Sequence, residues 1–269
     1  MDYNSKSIIT SDSLDGLFSA EMKGYVAHVF CEAGTCRLCY NGEWFDFREG
    51  DLLLTPPVCL VSDAEPTVDF RVRALYVDGD YTAVCTPRLH YGICSVLSLT
   101  QHPILRLTTE EQTLFLRDFD NVAHRLEHPH RRHLAGAMMT AVQALLIDEL
   151  EFHDRIHGYR EVSEQTEQLM SRFVAILEQG AYREHREVAW YASELCVTPK
   201  YLSECCRRTT QKSANFWINC YTKIGLMRLL RRTSLPLKQI SDDFSFPSIS
   251  SFTNYMEHHL GILPSMFRN

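Results

Sequence analysis

The sequence lacks any run of about 18 apolar residues, so it predicts no membrane-spanning helix and no membrane partner. Its first residues lack the basic and then apolar segments of a secretory signal, and we therefore expect a cytoplasmic protein. The chain also has no phosphate-binding glycine loop, no dinucleotide fingerprint and no ordered Ser-His-Asp set. These absences argue against the common enzyme classes and predict a protein without catalytic activity.

Positive charge is also scarce, because the whole chain carries a net charge of −7, which argues at first against a nucleic-acid partner. The charge is unevenly distributed, however. Residues 181–269 hold 12 Lys and Arg against 7 Asp and Glu, a net charge of +5, whereas the remaining residues carry −12. At 269 residues the chain is long enough for two domains. The asymmetry predicts an acidic domain and a basic domain that is able to face phosphates.

Ten cysteines are spaced irregularly in a chain without a recognisable export signal, so we predict reduced thiols rather than disulfides. Cys31, Cys36 and Cys39 match the spacing of one kind of iron–sulfur site. They lie in a predicted hairpin, and nothing nearby supplies a fourth ligand. We therefore interpret them as structural thiols.

Short segments of alternating polarity predict β-structure in the first hundred residues. The segments are 25–30, 36–40, 44–47, 52–55 and 68–77, and turn signals such as Asn41-Gly42 and Gly50-Asp51 separate them. Several short strands with turns between them predict a small β-barrel or sandwich.

From Thr108 the apolar period becomes helical, which predicts a helical hairpin over about residues 108–157, with Pro129 between its two helices. The apolar stripe of the second helix, about 131–156, has to be covered either by the barrel or by a second copy of the chain. A polar segment, 158–165, is the predicted linker. The predicted domains are therefore 1–160 and 161–269.

Two pairs of short helices are predicted in the C-terminal domain, over 188–195 with 199–208 and over 237–244 with 249–256. A longer helix, 214–232, connects the pairs. Each pair has the form of a helix-turn-helix unit, in which the second helix presents its first turns to the DNA major groove. The fold class is therefore α+β, with a β-barrel and helical hairpin followed by an all-α domain. Two such units in one chain indicate a DNA-binding domain much more specifically than a single helix pair does.

Outward positions on the second helix of each unit are the candidate DNA contacts. The predicted base-facing residues are Lys200, Ser203, Glu204, Ser250, Ser251 and Asn254. The predicted phosphate contacts are Thr198, Arg207, Arg208, Lys212 and Ser248.

The chain from about residue 173 to 268 resembles the AraC/XylS class of bacterial transcription regulators. The resemblance rests on Trp190-Tyr-Ala192, Val197-Thr-Pro-Lys-Tyr-Leu-Ser203, Phe216-Trp-Ile218, Ser251-Phe252, Gly261, Pro264 and Arg268. The N-terminal Asn41-Gly42, Gly50-Asp51 and Pro56 resemble the cupin-like sensor domain that such regulators often carry.

This resemblance implies a sequence-specific DNA-binding regulator whose N-terminal domain senses a ligand or dimerises. The implied partners are double-stranded DNA, a small-molecule effector and a second copy of the chain, with helix 131–156 as the first candidate for the dimer contact. Contact with RNA polymerase is left open. Alternation alone predicts an effector pocket lined by Tyr25, His28, Trp44 and Phe70.

The sequence departs from the family pattern in the second unit. Ser245 stands where the family usually has Gly, and a positive φ there would be unfavourable for Ser. Glu257-His258 stand where the family usually has a Lys pair, which removes attraction to phosphates. We therefore expect the first unit to bind DNA more firmly than the second.

The alternative is a ligand-binding or enzymatic cupin protein whose helical tail is only structural. Cupin metal enzymes need a His-x-His pair, and no histidine occurs between Gly34 and Asp51. His153 and His157 are spaced to chelate a metal on one helix face, and Glu149 is a possible partner. Exposed helical histidines are much more common than metal ligands, so we predict no metal and no cofactor.

Overall fold

The structure is a computed structural model that describes residues 7–19, 21–22, 24–40, 43–55, 61–86, 99, 101–158, 163–231 and 235–260. The chain divides into two units, Met1–Tyr159 and Arg160–Asn269. Several residues that carried sequence predictions lie outside the described residues, namely Asn41, Gly42, Pro56, Gly261, Pro264 and Arg268.

The N-terminal unit contains two antiparallel sheets. Their strands are β1 (Ile8–Ser11), β2 (Tyr25–Ala33), β3 (Thr35–Tyr40), β4 (Glu43–Arg48), β5 (Asp51–Thr55), β6 (Val61–Pro66), β7 (Arg71–Asp78) and β8 (Ile104–Arg106). The larger sheet has the order β1-β7-β2-β5-β8, and the smaller one has the order β4-β3-β6. The described strands pair within one sheet or the other and do not form a closed barrel, and the predicted α+β class is confirmed.

Two of the crossings of the chain between the sheets are made at glycines. Gly34, between β2 and β3, has a φ of +73°, and Gly50, between β4 and β5, has a φ of +83°. A Cβ at Gly34 would lie 2.8 Å from backbone atoms of Phe70. Glycine suits both crossings, because a residue with a Cβ rarely adopts this backbone conformation.

Among the described residues of the N-terminal unit, the helices are α1 (Asp15–Phe18), α2 (Gly79–Cys85), α3 (Thr109–Leu126) and α4 (Leu134–His157). The predicted start of α3 is confirmed by a capping box, in which Thr108 Oγ1 accepts from the Glu111 amide at 3.3 Å and the Glu111 carboxylate accepts from the Thr108 amide at 2.7 Å. Arg155 near the end of α4 donates to Glu111 at 2.8 Å. The start of α3 and the end of α4 are therefore joined at the open end of the helical hairpin.

The larger sheet covers the apolar stripe of α4, which settles the alternative left open by the sequence. The buried cluster contains Met138, Val142, Leu145 and Phe152 of α4, Phe115 and Phe119 of α3, and Phe30, Leu52, Leu54 and Leu75 of the sheet. The stripe is thus part of the core of its own unit and is not available to a second copy.

The cysteines in the described part of the chain carry free thiols. Burial raises the pKa of Cys31 to about 12 and that of Cys36 to about 11. These thiols stay protonated at neutral pH, as is usual for thiols buried in apolar surroundings.

The C-terminal unit is helical throughout its described residues. It contains α5 (Glu164–Glu178), α6 (Val188–Glu194), α7 (Pro199–Thr210), α8 (Ala214–Arg231), α9 (Leu237–Asp243) and α10 (Ile249–Leu260), with a 3-10 turn at Ala181–Arg183. Ser163 caps α5 through its hydroxyl, so the end of the predicted linker is already helical. Among the described residues, none of the helices has the length and apolarity needed to cross a membrane.

Candidate functional site

The first candidate recognition helix is α7, which follows α6 after a short turn. Pro199 occupies its first position, and Thr198 Oγ1 accepts from the Tyr201 amide at 3.2 Å. Cap and proline together fix the start of the helix, because the hydroxyl satisfies an end amide and proline has no amide to satisfy. Leu202 and Cys205 are buried on its inner face. The opposite face is therefore turned to solvent.

The second candidate recognition helix is α10, which follows α9. Ser248 Oγ accepts from the Ser251 amide at 3.1 Å and so caps the helix. Phe252 is fully buried, and Tyr255 donates its hydroxyl to Asn219 Oδ1 of α8 at 2.8 Å. Buried and hydrogen-bonded residues thus hold α10 against the connecting helix α8.

The turns of the two units have the same geometry. Cys196 has a φ of 56° and Ser245 a φ of 49°, so both are left-handed. In the first turn the Val197 amide donates to the Ala192 carbonyl at 2.9 Å, and in the second the Phe246 amide donates to the Ser241 carbonyl at 3.0 Å. Both turns form the Schellman C-cap, in which glycine is the usual left-handed residue. Ser245 therefore has the positive φ that is unfavourable for a residue with a Cβ.

Replacing Ser245 by Gly is expected to raise the free energy of unfolding of the C-terminal unit by about 1 kcal/mol, because it removes the Cβ penalty of a left-handed residue. Cys196→Gly is expected to give a similar gain. The matched control is Ser193→Gly in α6, where glycine costs about 0.5 kcal/mol. Denaturant unfolding of the three variants measures the differences, and a loss of stability in Ser245→Gly would contradict the assigned turn.

The base-facing candidates lie on the outer faces of α7 and α10. Lys200, Glu204, Ser250 and Asn254 are exposed, whereas Ser203 and Ser251 are half-buried. Arg208 donates to Glu204 at 2.6 Å within α7. The carboxylate of Glu204 thus has an ion-pair partner in its own helix, and reading a base would require exchange of that partner.

The phosphate candidates surround the same faces. Thr198, Arg207, Arg208, Lys212 and Ser248 are all exposed. The capping hydroxyls of Thr198 and Ser248 accept from amides, and a hydroxyl that accepts can still donate its own proton to a phosphate oxygen. The first unit supplies most of the cations of this set.

Two exposed apolar side chains at the helix starts were missed by the sequence reasoning. Tyr201 is 41% exposed and Ile249 is 47% exposed. Both lie within the first turn of a recognition helix. The sequence did contain a signal for these exposed side chains. Each is an aromatic or aliphatic residue that stands one or three positions before a buried residue in a short helix. Apolar groups at such positions can contact the methyl group of thymine.

Counting from the caps shows which residues of α7 and α10 are equivalent. The equivalent pairs are Lys200 and Ser250, Glu204 and Asn254, Arg207 and Glu257, and Arg208 and His258. All eight side chains are exposed. The α7 face carries a surplus of positive charge, whereas the α10 face carries a carboxylate where α7 has a guanidinium.

Arg186, which precedes α6, joins the first unit to the turn of the second. Its guanidinium donates to the Phe244 carbonyl at 2.6 Å and to the Ser245 carbonyl at 3.3 Å. It also lies 4.4 Å from the centre of the Phe246 ring. One side chain therefore binds the carboxyl end of α9 and packs on the residue after the left-handed turn.

The four residues of the predicted effector pocket do not meet. Tyr25 and His28 are three positions apart on β2, so their side chains leave the strand on opposite faces. His28 is buried, with Nδ1 2.7 Å and 2.9 Å from the two carboxylate oxygens of Glu149 on α4. Phe70 packs on Phe47 with ring centres 6.0 Å apart. The alternation of β2 excludes a pocket with all four side chains.

A cavity of about 360 Å³ lies elsewhere in the N-terminal unit. Its lining includes Arg37, Trp44, Asp46, His102, Arg106 and His157. Arg37 stacks on Trp44 at 4.9 Å and pairs with Glu65 at 3.2 Å. Of the predicted pocket residues, Trp44 is the one that lines this cavity.

His153 and His157 are not the exposed histidines that the sequence predicted. His153 is 3% exposed and His157 is half-buried. Glu149, their predicted carboxylate partner, binds His28 instead. The error arises because the C-terminal end of α4 packs against the segment that leads into β8, a contact that helical spacing does not reveal.

Comparison with known proteins follows the same division into units. A helix-turn-helix domain model matches residues 191–269, and a model of the AraC-like ligand binding domain matches residues 23–156. Comparison with curated proteins gives no match.

Solved structures give matches over nearly the whole chain. Wild-type ToxT from Vibrio cholerae with a bound unsaturated fatty acid is 12% identical, with 99% of this chain and 96% of that chain covered and a TM-score of 0.50. A second ToxT structure from Vibrio cholerae is 10% identical, with 97% and 98% covered and a TM-score of 0.50. At these identities the likeness concerns the fold.

Proposed function

The chain belongs to the AraC-like family of transcription regulators, and from that membership we propose that it reads double-stranded DNA by placing α7 and α10 in successive segments of the major groove. It is a DNA-binding regulator with an N-terminal ligand-binding domain. Members of this family are transcription regulators rather than enzymes, and we assign this chain no catalytic activity.

The observation that carries the proposal is the duplication within the C-terminal unit. In both helix-turn-helix units the first helix ends in a left-handed C-cap. The second helix begins at a hydroxyl N-cap and has an exposed polar face. A recognition helix needs these three features, because the turn sets its angle, the cap fixes its start and the polar face contacts base edges. Two such helices joined by α8 suit half-sites about 34 Å apart along the duplex.

Within this interface we assign base reading first to Lys200 and phosphate binding first to Arg207. Lys200 lies in the first turn of α7, the part of a recognition helix that enters the groove. Arg207 lies in the last turn, where it is exposed and where the groove wall brings the phosphates close. The same argument assigns base contacts to Ser203, Ser250, Ser251 and Asn254, and phosphate contacts to Thr198, Lys212 and Ser248.

The test is a selection of bound sequences from a pool of random duplexes, followed by affinity measurements on the selected site. We expect two half-sites about one helical turn apart. Lys200→Ala is expected to relax the base preference within one half-site and to cost about 1–3 kcal/mol on the preferred sequence. Arg207→Ala is expected to weaken all sequences about equally and to reduce the salt slope by about 1.

Arg172→Ala is the control for these two variants, because Arg172 is an exposed cation on α5, outside both helix-turn-helix units. It is expected to change neither sequence preference nor salt slope. Uniform losses from Lys200→Ala would contradict its assignment to a base. Absence of any preference among random duplexes would overturn the proposed function itself.

The cavity beside Trp44 offers space for an effector among the described residues of the N-terminal unit, and we place the small molecule there. The guanidinium groups of Arg37 and Arg106 line it and can bind the carboxylate of an organic anion, which would compete with Glu65 for Arg37. One ToxT structure holds an unsaturated fatty acid, which belongs to the same chemical class. Dimerisation, contact with RNA polymerase and a cytoplasmic location stay predictions.

A further inference from the structure

Two histidines and a glutamate lie together at the carboxyl end of α3. The ligand atoms of His124, Glu127 and His128 are all within 4.8 Å of one another. The imidazole rings of His124 and His128 have their centres 4.6 Å apart, and His124 Nδ1 lies 3.9 Å from Glu127 Oε2. Among the described residues, no other set of three or more His, Cys, Asp or Glu side chains is brought so close.

The end of α3 keeps the three side chains on one face. Glu127 is the C-cap of the helix and still has helical φ and ψ angles of −69° and −15°. The amide of His128 donates to the Arg125 carbonyl at 3.2 Å, so the chain continues to turn past the last helical residue. Residues three and four positions apart are neighbours on a helix surface. His124 therefore faces both Glu127 and His128.

A hydrogen bond fixes which nitrogen of His128 carries the proton. Its Nδ1 lies 2.9 Å from the carbonyl oxygen of His124. A carbonyl only accepts, so Nδ1 donates, and the lone pair of the neutral ring is on Nε2. A histidine that donates one N–H to a backbone carbonyl and offers the other nitrogen is the usual arrangement of a metal-bound imidazole. His128 thus has this arrangement before any ion is bound.

The local charges favour a cation at this place. The carboxyl end of a helix carries a partial negative charge, and Glu127 adds a full one. The side chain of Glu127 is exposed. The adjacent guanidinium of Arg125 donates to the Asn121 carbonyl at 2.8 Å, one turn back along α3. The carbonyl of the preceding turn, and not the carboxylate of Glu127, is therefore the partner of this cation.

We propose that His124, Glu127 and His128 bind a divalent transition-metal ion of the zinc class. Two imidazoles and one carboxylate form a zinc ligand set that leaves a fourth position for water or another ligand. Mg²⁺ and Ca²⁺ take oxygen ligands, so two ring nitrogens select against these ions. The proposal departs from the sequence-based expectation of no metal.

The spacing of the ligand atoms requires a small closure around the ion. Ligands at about 2.1 Å from a tetrahedral zinc ion are about 3.4 Å apart, which is less than the present 3.9 Å between His124 Nδ1 and Glu127 Oε2. Both side chains are exposed and can turn in solvent. Binding would join a residue inside α3 to two residues beyond its last turn, and we expect it to stabilise the end of the helix.

The following turn of the chain supplies a matched control. His130 and His133 are exposed and lie two and five residues after His128, but they do not belong to the group of close ligand atoms. The variant H130Q/H133Q removes the same number of imidazoles from the same surface segment as H124Q/H128Q. A difference between the two variants therefore reports on coordination rather than on histidine content.

The experiment uses the full chain without a polyhistidine tag, freed of metal by a chelator and then titrated with Co²⁺ and with Zn²⁺. We expect visible absorption from Co²⁺ in a low-coordination site and a rise in the melting temperature on adding Zn²⁺. H124Q/H128Q is expected to lose both and to bind one ion per chain fewer than the wild type. H130Q/H133Q is expected to match the wild type. Glu127→Gln is expected to weaken binding about tenfold or more, because it removes a charged ligand.

Circular dichroism and DNA binding of the same metal-free samples verify that the variants are folded. Absence of Co²⁺ and Zn²⁺ binding in a wild-type chain that binds its selected duplex would overturn the metal site and leave the proposed function intact. Zn²⁺ binding by a chain without any duplex preference would overturn the proposed function alone. Equal numbers of bound ions in the wild type and H124Q/H128Q would overturn the metal site. Equal losses in H124Q/H128Q and H130Q/H133Q would overturn it too, because they indicate unspecific binding to surface histidines.

Discussion

Reversing the charge at one pair of equivalent positions is expected to move DNA affinity in opposite directions. Arg207→Glu should lower affinity about 100-fold and Glu257→Arg should raise it about tenfold, at a salt concentration of about 0.1 M. The two residues occupy the same place, counted from the caps of α7 and α10, and both are exposed. Arg207→Glu replaces an attraction to phosphate by a repulsion. Glu257→Arg removes a repulsion and adds a contact on the weaker helix.

The salt dependence distinguishes phosphate contact from a general effect of net charge. Each added phosphate contact steepens the slope of log affinity against log salt by about 0.9. Glu257→Arg should therefore steepen it by nearly one, and Arg207→Glu should flatten it by about as much. Glu184→Arg gives the same change in net charge at an exposed position outside both helix-turn-helix units. If Glu184→Arg raised affinity and slope as much as Glu257→Arg, the assignment of α10 to the groove would be wrong.

Removing the guanidinium of Arg186 is the second large change that we expect. Arg186→Ala should lower the free energy of unfolding of the C-terminal unit by about 3 kcal/mol. The loss combines charge-assisted hydrogen bonds to the carbonyls of Phe244 and Ser245 with the contact to the Phe246 ring. These carbonyls are at the negative end of α9, where a cation is favourable. They would be left without this donor.

The functional effect of Arg186→Ala should be confined to the second unit. Selection from random duplexes by this variant is expected to recover one half-site instead of two, because the turn that orients α10 loses its support. Arg186→Lys is expected to recover part of the stability, since an ammonium lacks the planar fork that contacts both carbonyls. Arg183→Ala is the control, because Arg183 is exposed and its guanidinium lies 5.8 Å from the Phe244 ring. An unchanged melting temperature in Arg186→Ala would contradict the role assigned to it.

Local chemistry explains which features the sequence could predict. The starts of α3 and α7 follow from Thr108, Thr198 and Pro199, because a capping hydroxyl and an N-terminal proline act within one helical turn. The outward face of α7 follows from the position of Leu202, because helical periodicity places this apolar residue on the inner face and the polar residues opposite it. These signals reach no further than a few residues along the chain.

Contacts distant in the sequence account for what could not be predicted. Arg186 and Phe244 are 58 residues apart. No sequence pattern near Arg186 predicts that its side chain will bind the end of α9. The burial of His153 depends on the segment before β8, and the failure of the barrel to close depends on pairing between strands far apart. The error in placing Tyr25 and His28 in one pocket has a local cause. The two residues are an odd number of positions apart on one strand, and this spacing already puts their side chains on opposite faces.

The pair formed by His28 and Glu149 has a consequence for biosynthesis. The two residues are 121 positions apart, and Glu149 belongs to the helix that covers the larger sheet. On the ribosome the strands β1 to β8 emerge before that helix. His28 and the apolar face of the larger sheet therefore stay exposed to water until α4 has been translated. A nascent chain halted before α4 is therefore prone to aggregate and to need a chaperone. For the same reason, any fragment designed to isolate the N-terminal unit has to extend through His157.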